Sequence, residues 1–301
     1  MKFKSDDLIC NDIKDNNEIN KKFIKNFEDT VKDTIEKYHL IDKGDRVLVA
    51  CSGGKDSTTT LYLLKKFGYS PEALIIDLEI GDYSKKNLEN IIFFCSSQNI
   101  KLNVVSFKKV FGYSMCYIRS VLNSKYGLGS CHVCGILKRY LLNRKAIEMN
   151  FNKIATGHNM DDEAQNVFMN LIQGNIGFCA GLGPMSVQSD EEKFVPRIKP
   201  LFFCSEDDVR KYSELMNFRV VYDACPCSAG SFRLFVSGLL DDIEKKNPGV
   251  KKNLVNNMLK LRTVLMEKHK TKEEMKHCEI CGYPSRKKVC KACELIKKLK
   301  D

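Results

Sequence analysis

The spacing of apolar and polar residues changes period repeatedly along this chain. Val47 to Ala50 is a short unbroken apolar run, and a polar, glycine-rich stretch follows it. Thr58 to Phe67 then carries Leu61, Leu64 and Phe67 at helical spacing. The pattern predicts a buried strand, a tight turn and a helix. Further apolar runs predict strands at 72–77, 102–105 and 153–156. Helical stripes fall between them, at 84–99 (Leu88, Ile91, Ile92, Cys95), 111–122 and 135–149. A polar loop, 157–163, opens a helix to about Ile172. Strands alternating with helices imply an α/β fold, a parallel sheet with helices on both faces.

The flanks read differently. Residues 1–22 are polar and are expected to be mobile at the start. Phe23, Phe27, Val31, Ile35 and Tyr38 predict an amphipathic helix ending near His39. Gly174 to Gly183 is a glycine-rich crossing, and the prolines at 196 and 200 keep 195–201 extended. Ser205 caps a helix to about Met216, and 219–222 reads as a strand. Two helices, 231–246 and 250–268, are separated by Asn247-Pro248-Gly249. The expected division is an N-terminal helical segment (1–44), a catalytic domain (45–230), a helical C-terminal extension (231–274) and a small zinc knuckle (275–301).

Composition narrows the class. No run of eighteen apolar residues exists and no apolar signal region opens the chain, so a cytoplasmic protein without membrane contact is expected. Fourteen cysteines, several in C-x-x-C pairs, then point to metal rather than disulfides. The net charge is +11. From Lys245 onward, 17 Lys and Arg face six acids, so the excess sits in the C-terminal part and suggests a polyanion such as RNA.

Ser52-Gly53-Gly54-Lys55-Asp56-Ser57 sits where a strand meets a helix N-terminus. Backbone N–H groups, two hydroxyls and a lysine there make a phosphate cradle. The Walker spacing is absent. The loop resembles that of the PP-loop ATPases (adenine nucleotide alpha-hydrolase-like), which cleave ATP between the α and β phosphates and adenylate a substrate. Gly157-His158-Asn159-Met160-Asp161-Asp162 is similar to that family's second signature. The resemblance implies an ATP site of Ala50, Cys51, Ser52–Ser57, Asp77, Gly157 and His158. Asp56, Asp161 and Asp162 would be catalytic, holding Mg²⁺ or positioning the reacting oxygen. Read from residues alone, an Asp at 161 or 162 is equally a helix cap.

Cys131-x-x-Cys134 has a third and a fourth thiol in reach at Cys225 and Cys227. A redox pair or a four-cysteine zinc site are open readings. The sequence also resembles the tRNA-thiolating PP-loop enzymes, whose three cysteines hold a [4Fe–4S] cluster with one open iron. That resemblance implies Cys131, Cys134 and Cys225 as ligands, with Cys227 as the alternative third. Lys138, one turn past Cys134, would neutralise developing negative charge. Cys278-x-x-Cys281 and Cys290-x-x-Cys293 are a strong zinc signal. They resemble the C-terminal zinc finger of the uridine two-thiolation branch, which favours uridine over cytidine. The N-terminal finger of that branch has no counterpart, since the first 45 residues hold only Cys10.

The resemblance therefore implies an ATP-dependent tRNA sulfurtransferase that forms 2-thiouridine, working as a homodimer with a sulfur-carrier protein or free sulfide as donor. Alternatives are cytidine two-thiolation and a non-enzymatic zinc and RNA-binding protein.

Overall fold

The computed structural model describes the backbone of residues 6–186, 194–268 and 276–300, with side chains from Asn17 onward. Five strands form one parallel sheet: β1 (Val47–Cys51), β2 (Glu72–Asp77), β3 (Leu102–Ser106), β4 (Lys153–Thr156) and β5 (Arg197–Ile198). Their order is β3-β2-β1-β4-β5. The central strands are buried along nearly their whole length, β4 at all four positions, as a sheet covered on both faces requires. After β1 the chain winds outward through β2 and β3, then returns to the other side of β1 as β4. The order reverses between β1 and β4, where such sheets bind ligands beyond the carboxyl ends of their strands.

Helix α1 (Asp6–Lys37) precedes the sheet, and α2 (Lys55–Lys66) follows β1. α1 begins at Asp6, far earlier than the apolar stripe indicated, so the polar start of the chain is helical from there. Phe27 of α1 stacks on Tyr212 at 4.5 Å, and the Tyr212 hydroxyl donates to Glu28 at 2.6 Å. α3 (Gly81–Ser97) follows β2. The single helix expected at 111–122 is two, α4 (Phe107–Phe111) and α5 (Met115–Tyr126). Gly112 at φ +83° ends the first, and the Ser114 side chain caps the second.

α6 (Ser130–Glu148) leads to β4, and α7 (Met160–Ile172) and α8 (Ile176–Cys179) follow. Ser205 caps α9 (Glu206–Leu215) as expected. The strand expected at 219–222 reduces to one parallel bridge, Val221 to Gly54. Pro226–Ser228 forms a single 3-10 turn. α10 (Phe232–Lys246) and α11 (Val250–Lys268) pack on α7 through Ala164, Val236, Leu240 and Val255.

The last segment has strands β6 (Lys276–His277) and β7 (Pro284–Ser285) and helix α12 (Lys291–Lys297). The boundary expected at 274–275 lies outside the described residues. The segment is no free-standing bead. Its Cys278, Cys290, Ala292, Leu295 and Leu299 share one core with Ile118 and Leu122 of α5 and Val133, Leu137 and Leu141 of α6.

Candidate active site

β1 delivers Ala50 and Cys51 to the edge of the sheet, and Ser52 to Gly54 turn the chain into α2. Gly53 sits at φ +81°, and a Cβ there would lie 2.4 Å from the Asn87 carbonyl. Both backbone conformation and crowding thus demand glycine. Gly54 is the N-cap of α2 and supplies no side-chain acceptor. The first N–H groups of α2 are left for a ligand, with the positive end of the helix dipole behind them. The loop is shaped from within: Ser52 N–H donates to Ser57 Oγ at 3.1 Å, and the two hydroxyls lie 3.2 Å apart.

Across the switch point, Gly157 follows β4. A Cβ on it would lie 2.7 Å from the backbone of Asp56 and Ser57, so the two loops touch. Asn159 donates to Asp56 Oδ1 at 3.0 Å and forms a reciprocal capping box with Asp162 at the start of α7. His158 Nδ1 lies 2.9 Å from the Thr156 hydroxyl. Its pKa is held below the ordinary value by its enclosed position and by Lys199, Arg233 and Arg197, so the ring is neutral. Asp77 ends β2 on the same sheet edge, where its carboxylate accepts from Glu79 N–H at 2.9 Å.

The charged groups are already paired. Lys55 donates to Glu206 at 2.9 Å and to Asp56 at 3.2 Å. Asp162 accepts from Arg233 at 3.1 Å and from Asn159 N–H at 3.3 Å. Asp161 is turned away from the loop. It takes Lys251 of α11 on one oxygen and the Glu206 N–H of α9 on the other, at 2.8 Å. The three carboxylates expected around Mg²⁺ do not close on one ion, although Asp56, whose pKa burial pushes up, lies near enough to Asp162 for that carboxylate to push it up further. Each oxygen of Asp56, Asp161 and Asp162 has a protein partner, and the one group among the described residues with single-ion geometry consists of cysteines. Asp161 instead ties α7, α9 and α11 together. Glu206, Lys251 and Arg233 escaped the sequence reading because they come from 45 to 151 residues away.

Cys131 and Cys134 occupy the first turn of α6, not the loop before a helix starting at Gly135. Gly129, the N-cap, makes no side-chain cap. The Cys131 thiol reaches the Cys227 carbonyl at 3.9 Å. Burial pushes the Cys134 thiol up, Lys138 pulls it down, and Cys225 and Cys131 push it up again. Lys138 is exposed and acts on Cys134 as a nearby charge. Four thiols are thus neighbours: 131, 134, 225 and 227. They are too dispersed to share one ion, while a cluster spreads its ligands over separate irons. The donor set fits such a group.

Helix α3 links this group to the phosphate loop. Asn87 packs against Gly53 and donates to the Tyr83 carbonyl at 2.9 Å. The Tyr83 hydroxyl, one turn back, is pushed up by burial and by Cys225. The Gly54–Val221 bridge joins the loop to the segment that leads into Cys225.

In the C-terminal segment, Cys278, Cys281, Cys290 and Cys293 place all their sulfurs within 4.8 Å of one another. Cys281 and Cys290 are 3.7 Å apart, close to the ~3.8 Å edge of a tetrahedron with ~2.3 Å metal–sulfur bonds. Cys290 N–H donates to the Cys278 sulfur at 3.3 Å. Four such donors fit structural zinc.

Residues 19–235 match the family model described as the PP-loop domain. The chain is 37% identical over 272 residues to the tRNA-5-methyluridine(54) 2-sulfurtransferase of Pyrococcus horikoshii, covering 90% of this chain and 85% of that one. It is 31% identical to cytoplasmic tRNA 2-thiolation protein 1 of Caenorhabditis briggsae, over 92% of this chain and 74% of the other. Among solved structures, the U34-tRNA thiolase NcsA from Methanococcus maripaludis, with its [4Fe-4S] cluster, superposes with a TM-score of 0.78 at 32% identity, covering 93% and 89% of the two chains.

Proposed function

The chain belongs to the PP-loop family, among the tRNA 2-thiolation enzymes, and from that premise we propose that it is an ATP-dependent sulfurtransferase that converts a uridine of tRNA to 2-thiouridine. The observation that carries this reading is one sheet edge with two uncapped helix N-termini. One, on α2, is shaped for phosphate, and the other, on α6, presents thiols.

The loop Ser52–Ser57 grips the pyrophosphate part of ATP, with Ala50, Cys51, Asp77, Gly157 and His158 around the nucleotide. Lys55 exchanges Glu206 for a phosphate oxygen, and Asp56, freed of Lys55, would be the carboxylate to hold Mg²⁺ brought with ATP. The O2 atom of uridine attacks the α-phosphorus and pyrophosphate leaves. Neutral His158 imposes no charge on the incoming oxygen. Asp162 orients Arg233 toward the developing charge, and Asp161 holds the elements that carry these groups. An iron–sulfur cluster held by Cys131, Cys134 and Cys225 would supply an open iron to carry the sulfur. Sulfur replaces oxygen at C2 and AMP departs, with Lys138 near the leaving negative charge. The four C-terminal cysteines hold zinc, and the basic C-terminal part meets the tRNA body. The protein works in the cytoplasm, as the name of the nematode relative suggests.

The test is anaerobic turnover of a tRNA transcript with ATP and sulfide, read as 2-thiouridine by mass spectrometry of the digested RNA. Product from the unaltered protein and none from Lys55→Ala, with iron content unchanged, is the expected result. Equal turnover by Lys55→Ala would overturn the pocket assignment.

A further inference from the structure

A hollow between α6, β5 and the C-terminal segment takes no part in the chemistry above. Its volume is about 340 Å³, and Arg139, Asn143, Ser186, Phe194, Arg197 and Tyr283 are among its walls. A neighbouring hollow of about 500 Å³ shares Arg139, Phe194 and Tyr283 and adds Arg286, Lys287 and Lys291. No Asp or Glu among the described residues lines either one.

Among the described residues, Arg139 and Arg197 face this space with no carboxylate paired to them, unlike two other arginines. Arg233 holds Asp162, and Arg144 holds Glu148. Arg139 is exposed at the rim and Arg197 is half-buried; desolvation disfavours the charged form of both, and Arg197 further disfavours that of Arg139 by repulsion. Two like charges in one cleft gain when a single anion bridges them. The planar guanidinium fork matches phosphate oxygens. Helix α6 is cut away to seat one of the two: a Cβ at Gly135 would lie 3.0 Å from Arg139 Nη1. Phe194 and Tyr140 meet the Tyr283 ring edge-on at 5.6 and 4.9 Å, giving an aromatic wall of the kind on which unstacked bases rest. Arg139 stands five residues past Cys134 and feels its charge.

We propose that the Arg139–Arg197 hollow binds a phosphate group of the RNA substrate, flanking the nucleotide whose base is presented to the cysteines of α6. Its oxyanion chemistry stands on the geometry alone. Assigning the phosphate to tRNA rests on the function proposed above.

The experiment compares the unaltered protein with Arg139→Gln, Arg197→Gln, and Gly135→Ala, which displaces Arg139 without removing it. tRNA affinity is measured by fluorescence anisotropy from low to high salt, and inorganic phosphate binding by ³¹P line broadening. Thermal melting checks each fold. Each Gln variant is expected to bind tRNA about 10-fold more weakly and to lower the slope of log affinity against log salt by about one. Phosphate broadening should fall with it, and Gly135→Ala should give a smaller loss. Lost broadening with unchanged tRNA affinity would keep the oxyanion site but overturn RNA as its source. Unchanged values in both assays would overturn the site. If the unaltered protein bound no tRNA, the functional reading would fail, while the phosphate measurement would still judge the hollow.

Discussion

The two groups of cysteines are built on opposite plans. In the C-terminal segment the sulfurs are drawn together, two of the four are almost fully buried, and backbone N–H groups point at them. At the head of α6 the thiols are spread over a helix turn and a 3-10 turn, and Cys131 is open to solvent. The first arrangement closes around a single ion and leaves no room for anything else. The second is loose and reachable, and lies near a phosphate-binding loop. On the function proposed above, sulfur spacing and exposure separate the centre that holds the fold together from the one that does chemistry.

The largest way to break this contrast is at the closed group. Cys290→Ala should cost about 4 kcal/mol, or about 10 °C in melting temperature, because bound metal carries much of a small segment's folding energy. Calorimetry with and without a chelator reads it, and a chelator should no longer matter in the variant. Cys131→Ala and Cys225→Ala should do the reverse. Turnover should fall at least ~100-fold while melting moves within about 2 °C, since neither residue is packed in a core. Equal melting losses at both groups would erase the distinction.

Acid sharpens it. Burial pushes the Cys278 thiol up, but the N–H groups of Cys290, Cys281 and Ile280 outweigh this and bring it to about 6, against an ordinary 9.0. The folded state favours the thiolate, so its contribution is present above the ordinary value and is lost as pH falls through about 6. Stability of the metal-free protein, followed by chemical denaturation, should fall as pH drops through about 6. The smallest effect concerns how the closed group is seated. Tyr140→Leu removes an edge contact with Tyr283 at 4.9 Å and should cost about 1 kcal/mol, seen in chemical denaturation.

The C-x-x-C pairs and the β1–loop–α2 unit could be read from sequence because their signals are local, whereas Cys225 enters as a ligand only through the family resemblance. A strand, two glycines and a helix start lie within a dozen residues, and C-x-x-C pairs carry their own spacing. The start of α6 was hidden because Gly127 and Gly129 look like a flexible lead-in. In fact a three-residue cysteine spacing suits one helix turn. The strand expected at 219–222 has the right composition but finds one bridge only. The partners of Lys55, Asp161 and Asp162 left no trace, since pairing across 45 to 151 residues depends on the finished fold.

The C-terminal segment covers the Val133, Leu137 and Leu141 face of α6, the helix whose first turn presents Cys131 and Cys134. It is therefore no detachable accessory. Cutting the chain before residue 276 would strip the cover from Val133, Leu137 and Leu141, and the truncated protein should come out sticky and aggregated. Swapping this segment between relatives calls for moving the facing surface of α6 along with it, as lid and jar.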